Sequence, residues 1–186
     1  MKNDPGFYDY WPYDNRPKMK WPGGAKVAFW VAPNIEYYEL NAPDNPQRKP
    51  WPEPSPAIAG YSTRDYGNRV GHMRQMKLLE KYGIRGSISL STALCEHHPE
   101  IIELCNERDW EFFSHGIYNT RYTYGMDEQQ EREMIHDAME TIYKHTGQKC
   151  AGYLAPALSH SELTLDLFAE VGTELFGDEG GIYTCD

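Results

Sequence analysis

The sequence has no Cys-x-x-Cys pair: Cys95, Cys105, Cys150 and Cys185 stand far apart, which argues against a zinc ribbon or a thioredoxin-type motif. Their spacing suits reduced, mostly buried thiols in a cytoplasmic protein, and a catalytic cysteine is the lesser reading. Positive charge is also scarce, with 18 Lys and Arg against 28 Asp and Glu and a formal net charge of -10. Nucleic acid and anionic membranes attract basic surfaces, so neither is expected as a partner. No apolar run is long enough to span a bilayer, and Met1–Gly6 shows no apolar signal core, so secretion is not indicated. No Gly-x-Gly-x-x-Gly follows the first apolar run and no P-loop sequence appears, which removes the usual evidence for a nucleotide. There is no internal repeat.

What the 186 residues do contain is enough apolar and aromatic material, 40% hydrophobic with 14 tyrosines, for one folded domain. Residues 1–24 read as an aromatic arm broken by Pro and Gly, packed along the domain or onto a second copy of the chain. A first strand is expected at Lys26–Val31. Residues 37–60 form a Pro-rich loop whose Trp51 and tyrosines favour order over a site or a subunit contact. A helix follows from about Val70 to Tyr82, buried through Val70, Met73, Met76 and Leu79. Further strands are expected at Ile84–Leu90, Trp110–Phe113, Cys150–Leu154 and Ile182–Cys185. Helices near Pro99–Arg108, Asp127–His145 and Glu162–Val171 separate them. This alternation predicts a parallel sheet with right-handed crossovers, either an open doubly wound sheet or a barrel.

Trp110–Arg121 shows where chemistry would lie. Apolar residues run to Phe113, then the composition turns to Ser114-His115-Gly116-Ile117-Tyr118-Asn119-Thr120-Arg121. Loops at the carboxyl ends of parallel strands are where ligands bind, and His115 and Asn119 flank a glycine that permits a sharp turn. The other reading is a capped turn. Asn34 and Glu36 alternate about Ile35 at the end of the first strand and face one side if it continues. Glu36 is either a site carboxylate or a solvated rim group. Arg64 and Arg69 are read as able to hold a substrate carboxylate or, more simply, to pair with Asp65.

Tyr10–Tyr13, Phe29–Glu36, Tyr61–Gly71, Ser114–Arg121 and Gly152–Leu158 together resemble the polysaccharide deacetylase family, the group sharing the NodB homology domain. They are most similar to its cytoplasmic branch, which includes allantoinase-like hydrolases. The resemblance implies an α/β fold, a distorted (β/α) barrel of the polysaccharide deacetylase type, here lacking its last strands, with residues 1–186 as a single, C-terminally incomplete domain. It implies hydrolysis of a C–N bond in an N-acetyl sugar or cyclic ureide. The positions matching the family's acidic first motif are Asn34 and Glu36. Those matching its two-histidine metal motif are His115 and Asn119, and Leu154 stands where an Arg usually precedes the proline.

The site expectation is then Glu36 and His115 as catalytic groups, with Asn34, Tyr118, Tyr153, Pro156 and His160 contacting substrate. A divalent, zinc-like metal would be held by Glu36, His115 and Asn119. Without a metal, Glu36 is the general base, and His115 the proton donor or oxyanion partner. His160 is alternatively a helix cap. A small-molecule substrate and a second copy of the chain are the expected partners. The alternative function is a catalytically degenerate binding or assembly module on the same scaffold.

Overall fold

The computed structural model describes residues 10–43, 54–123, 125–177 and 183–184. Trp51 and Cys185 lie outside the described residues. The chain divides into two compact units, Met1–Trp30 and Val31–Asp186. Among the described residues of the first, Pro and Gly restrict regular structure to two 3₁₀ turns, Tyr13–Asn15 and Pro22–Gly24. Tyr10, Tyr13, Val27 and Phe29 are each more than 70% exposed, so the predicted strand at Lys26–Val31 does not form.

The second unit is built on a sheet of five parallel strands in the order β1 (Asn34–Ile35), β2 (Ser87–Leu90), β3 (Glu111–Ser114), β4 (Gly152–Tyr153) and β5 (Tyr183–Thr184). Strand order following chain order is the arc of a (β/α) barrel, whereas an open doubly wound sheet reverses its order at a switch point. Pairing reaches back past β1, because the carbonyls of Val31 and Pro33 accept from the Ser87 and Ser89 amides. Pro33 has no N–H to return, which shortens the strand proper.

A rod of three pieces connects β1 to β2: α1 (Ile58–Tyr66), a π-helical turn (Gly67–Gly71) and α2 (His72–Lys81). The sequence reading began this helix at Val70. Gly67 and Gly71 look like breakers in sequence, yet here they sit inside a helical path. Met76 and Leu79 are buried as predicted, while Leu78 is exposed. Beyond β2 lie α3 (Leu94–His97), which the sequence did not announce, and α4 (Pro99–Glu107), which starts on its proline. After β3 comes α5 (Glu128–Thr146), opened by a capping box between Asp127 and Gln130 and closed by Gly147 at φ 71°. The last helix is α6 (Thr164–Phe176).

One row of registered residues crosses the sheet: Ile35 against Leu90, Leu90 against Ser114, Ser114 against Tyr153, Tyr153 against Thr184. Ile35, Leu90 and Tyr153 are almost wholly buried within the apolar cluster that also holds Ile101, Met139, Ile142 and Phe168 of the helices. Side chains alternate faces along a strand. The next residue on each strand, Glu36, Ser91, His115 and Leu154, therefore turns to the opposite side at the carboxyl edge of the sheet.

Helices α5 and α6 are joined by a buried carboxylate. Glu131 is 2% exposed and accepts hydrogen bonds from Ser161 Oγ at 2.7 Å and from Thr164 Oγ1, at the start of α6. Removing it leaves the buried Thr164 hydroxyl and the half-buried Ser161 hydroxyl without their acceptor. Glu131→Ala is expected to lower stability by about 3 kcal/mol, seen as a reduced urea midpoint at unchanged m. Glu133→Ala, on the exposed face of the same helix, should stay within about 0.5 kcal/mol.

Candidate active site

The carboxyl edge of the sheet opens into a cleft of about 490 Å³ lined by Asn34, Glu36, Tyr38, Arg64, His115, Asn119 and Tyr122, with Leu154, Ala155, Ala157 and Leu158. Glu36 is its hub. Oε1 accepts from Asn34 Nδ2 at 3.3 Å and faces His115 Nε2 at 3.3 Å. Oε2 accepts from the Tyr38 hydroxyl at 2.9 Å and from Asn119 Nδ2 at 3.0 Å. These donors outweigh the burial that would raise it: the His115 bond above all, then Tyr38 and Asn34, hold the Glu36 carboxyl below its ordinary value.

His115 is fixed from both sides. Its amide bonds to the Leu90 carbonyl at 2.8 Å, and its ring Nδ1 lies 2.6 Å from the Leu154 carbonyl. That carbonyl only accepts, so Nδ1 carries a proton. Nε2 faces a carboxylate, so the pair is complete when Nε2 carries one too: an imidazolium against Glu36. Gly116 makes the turn possible, because its φ is 69° and a Cβ there would stand 3.1 Å from the Pro156 ring. Further out, the two loops are clamped together. Asn119 N bonds the Tyr37 carbonyl at 2.9 Å, Thr120 Oγ1 bonds Glu39 at 2.7 Å, and Arg121 takes Glu39 in a two-pronged ion pair at 2.7 and 3.1 Å. The guanidinium of Arg64 lies 4.1 Å over the Tyr38 ring.

Asn34, Glu36, His115 and Asn119 thus meet in one cleft, and the other candidates are placed elsewhere. Tyr153 belongs to the helix-side row and stacks on Phe168 at 5.5 Å. Tyr118 joins a ring cluster with Tyr37 and His97, where Tyr37 and His97 stack at 4.1 Å, and Arg121 covers its face. Pro156 is buried against Gly116, and its neighbours line the cleft in its stead. His160 is exposed and outside the lining. Asp65 pairs with Arg69. Tyr38, Arg64 and Tyr122 complete the cleft. Tyr38 was legible, since Asn34, Glu36 and Tyr38 continue one alternation.

The expected metal does not fit this donor set. A catalytic divalent centre takes three strong protein donors. Among the described residues no three His, Cys, Asp or Glu side chains converge to hold an ion. Both Glu36 oxygens and both His115 nitrogens are already engaged, and Asn119 turns its amide nitrogen toward Glu36. Asn119 Oδ1 is buried without a hydrogen-bond partner, but one neutral amide oxygen is a poor ligand alone.

The lowered pKa of Glu36 gives a signed expectation. Ionised Glu36 stabilises the fold above its ordinary value of 4.5, and that contribution is lost as pH falls through the lower folded value. Urea titrations of the parent and Glu36→Gln should therefore differ most at neutral pH and converge below pH 4.5. A constant difference across that window would contradict the cage.

A sequence profile described as polysaccharide deacetylase matches residues 54–176. The matched segment starts after Glu36. No curated protein is detectably similar in sequence. Among solved structures, the Puue allantoinase is 24% identical, with a TM-score of 0.69, covering 96% of this chain and 61% of its own. A Mycobacterium smegmatis structure assigned to the polysaccharide deacetylases is 25% identical, with a TM-score of 0.60, covering 83% of this chain and 51% of its own. One from Pseudomonas aeruginosa PAO1, similarly assigned, is 23% identical, with a TM-score of 0.67 and coverages of 93% and 58%. The chain thus spans between half and two thirds of these structures. Strand order, crossovers and the profile match agree: the chain belongs to the polysaccharide deacetylase family.

Proposed function

We propose that the cleft hydrolyses a carbon–nitrogen bond of a small molecule, an N-acetyl sugar or a cyclic ureide, without a metal ion. The observation that carries this reading is the Glu36–His115 pair, 3.3 Å apart at the mouth of the cleft. Asn34 holds Oε1 through a long, exposed bond and is the partner a water displaces most easily. Glu36 takes a proton from that water as its oxygen attacks the carbonyl carbon. The charge developing on the carbonyl oxygen is met by the His115 imidazolium, with Arg64 and Tyr122 as further contacts across the cleft. The C–N bond then breaks, the proton held by Glu36 passes to the leaving nitrogen, and a carboxylic acid and an amine result.

The three buried thiols of Cys95, Cys105 and Cys150, pushed up to between about 11 and 12 by desolvation, support a cytoplasmic location. Among the described residues no helix is long and apolar enough to cross a membrane. The exposed aromatics of residues 10–30 support a homo-oligomer in which this arm, on a single deacetylase-type domain, packs on a second copy.

Turnover of a panel of N-acetyl sugars and cyclic ureides tests the reading. Glu36→Gln and His115→Ala should each lower kcat/KM by roughly 10²- to 10⁴-fold, and dialysis against a chelator should leave the rate unchanged. The second reading, a binding or assembly module, draws on the full hydrogen-bond complement of Glu36. It prevails if every substrate is bound but none is turned over, and if Glu36→Gln leaves binding intact.

A further inference from the structure

The Tyr61–Gly71 phrase contributes one side chain to the site from behind. Glu36 is the first residue past β1, so its carbonyl has left the ladder that holds Ile35, whose own carbonyl accepts from the Ser91 amide. The Glu36 carbonyl is taken instead by Asn68 Nδ2 at 3.0 Å, across 32 residues. Asn68 is 6% exposed and is the one buried residue of the π-helical turn Gly67–Gly71. A π turn widens one helical turn and shifts the faces of the residues after it, a device that recurs at functional sites. Here it turns Asn68 inward while Arg69 stays outside, paired with Asp65.

We propose that Asn68 is a positioning residue for Glu36: it holds the backbone from which the carboxylate reaches His115, and the π turn exists to aim it. The proposal rests on the reading of Glu36 as the base. A residue that sets the aim of a base acts on the chemical step and leaves ground-state binding alone. The groups bonded to the Glu36 carboxylate, Asn34 and Tyr38 from its own segment and His115 and Asn119 from the β3 loop, touch its side chain. Among the described residues, Asn68 is the group that holds its carbonyl.

Four variants test it. Asn68→Ala should lower kcat roughly tenfold at unchanged KM, and the Glu36 carbonyl ¹³C resonance should move. Asn68→His, which carries a ring N–H at similar reach, should restore both, and the isosteric Asn68→Asp, which has no such donor when ionised, should not. Asn106→Ala is the control. Its Nδ2 makes a like bond to the His145 carbonyl at 3.2 Å, away from the cleft, so stability should fall and kcat should not. The proposal is overturned if Asn68→Ala loses stability as Asn106→Ala does while kcat and the Glu36 resonance stay at parent values. Should Asn68→Ala fail to fold, the contrast between Asn68→His and Asn68→Asp decides. A fully active Glu36→Gln would sink the reading of Glu36 as the base instead, and the Glu36 resonance of the Asn68 variants would still report whether Asn68 holds the carbonyl.

Discussion

The Glu36 carboxylate is the constraint from which the rest of the site follows. Taking an ionised carboxyl partly out of water costs several kcal/mol unless donors replace the lost hydration. Here each oxygen has two partners, drawn from the β1 loop itself (Asn34, Tyr38) and from the β3 loop (His115, Asn119). Strands β1 and β3 are separated by β2, so their backbones stand about 10 Å apart at ordinary strand spacing. Only side chains on the same face at the same height can close that gap. The register supplies both conditions, because Ile35 and Ser114 pair with the same Leu90 and the next residues are Glu36 and His115.

Rigidity comes from contacts one step removed. Glu39 binds Thr120 and Arg121, so the segment after Glu36 and the segment after Asn119 move as one piece. The Leu154 carbonyl fixes the His115 ring from the β4 side, and Leu154 stays in place because its amide bonds the Ser114 carbonyl. Three strands therefore hold one imidazole. A histidine so placed has both ring nitrogens engaged, one by the Leu154 carbonyl and one by Glu36.

Much of this was legible in the residues because it obeys short periods. The alternation Asn34-Ile35-Glu36 put two polar groups on one face, and the apolar run into Ser114-His115-Gly116 marked a strand end. Asp127 and Gly147 bracketed α5. What failed depended on the third dimension. Tyr153 looked like a site residue because it stands beside Leu154, yet parity sends it to the helix side. Val27 and Phe29 looked like strand residues by propensity, but β pairing needs a partner and begins only at Val31. Asn68 carried no local signal at all. Between two glycines and beside an arginine it reads as a turn residue, and only a helix that runs through Gly67 with one π turn makes it a buried donor.

The departures from the family pattern form one substitution of principle rather than several losses. At the two positions where the family resemblance implies an acidic base and a second histidine, this chain has Asn34 and Asn119, and both amides donate to Glu36. An amide cannot compete for a metal as a carboxylate or imidazole does, but it can neutralise a lone pair without adding charge. The group that faces Glu36 at 3.3 Å is then the His115 ring, bound covalently to the scaffold and aimed by Leu154. Such a pair loses its balance when either partner changes protonation, whereas a metal-held carboxylate loses it when the ion leaves. Asn34, Asn119 and Tyr38 thus satisfy the Glu36 oxygens with neutral donors and hold the carboxylate in place without adding charge.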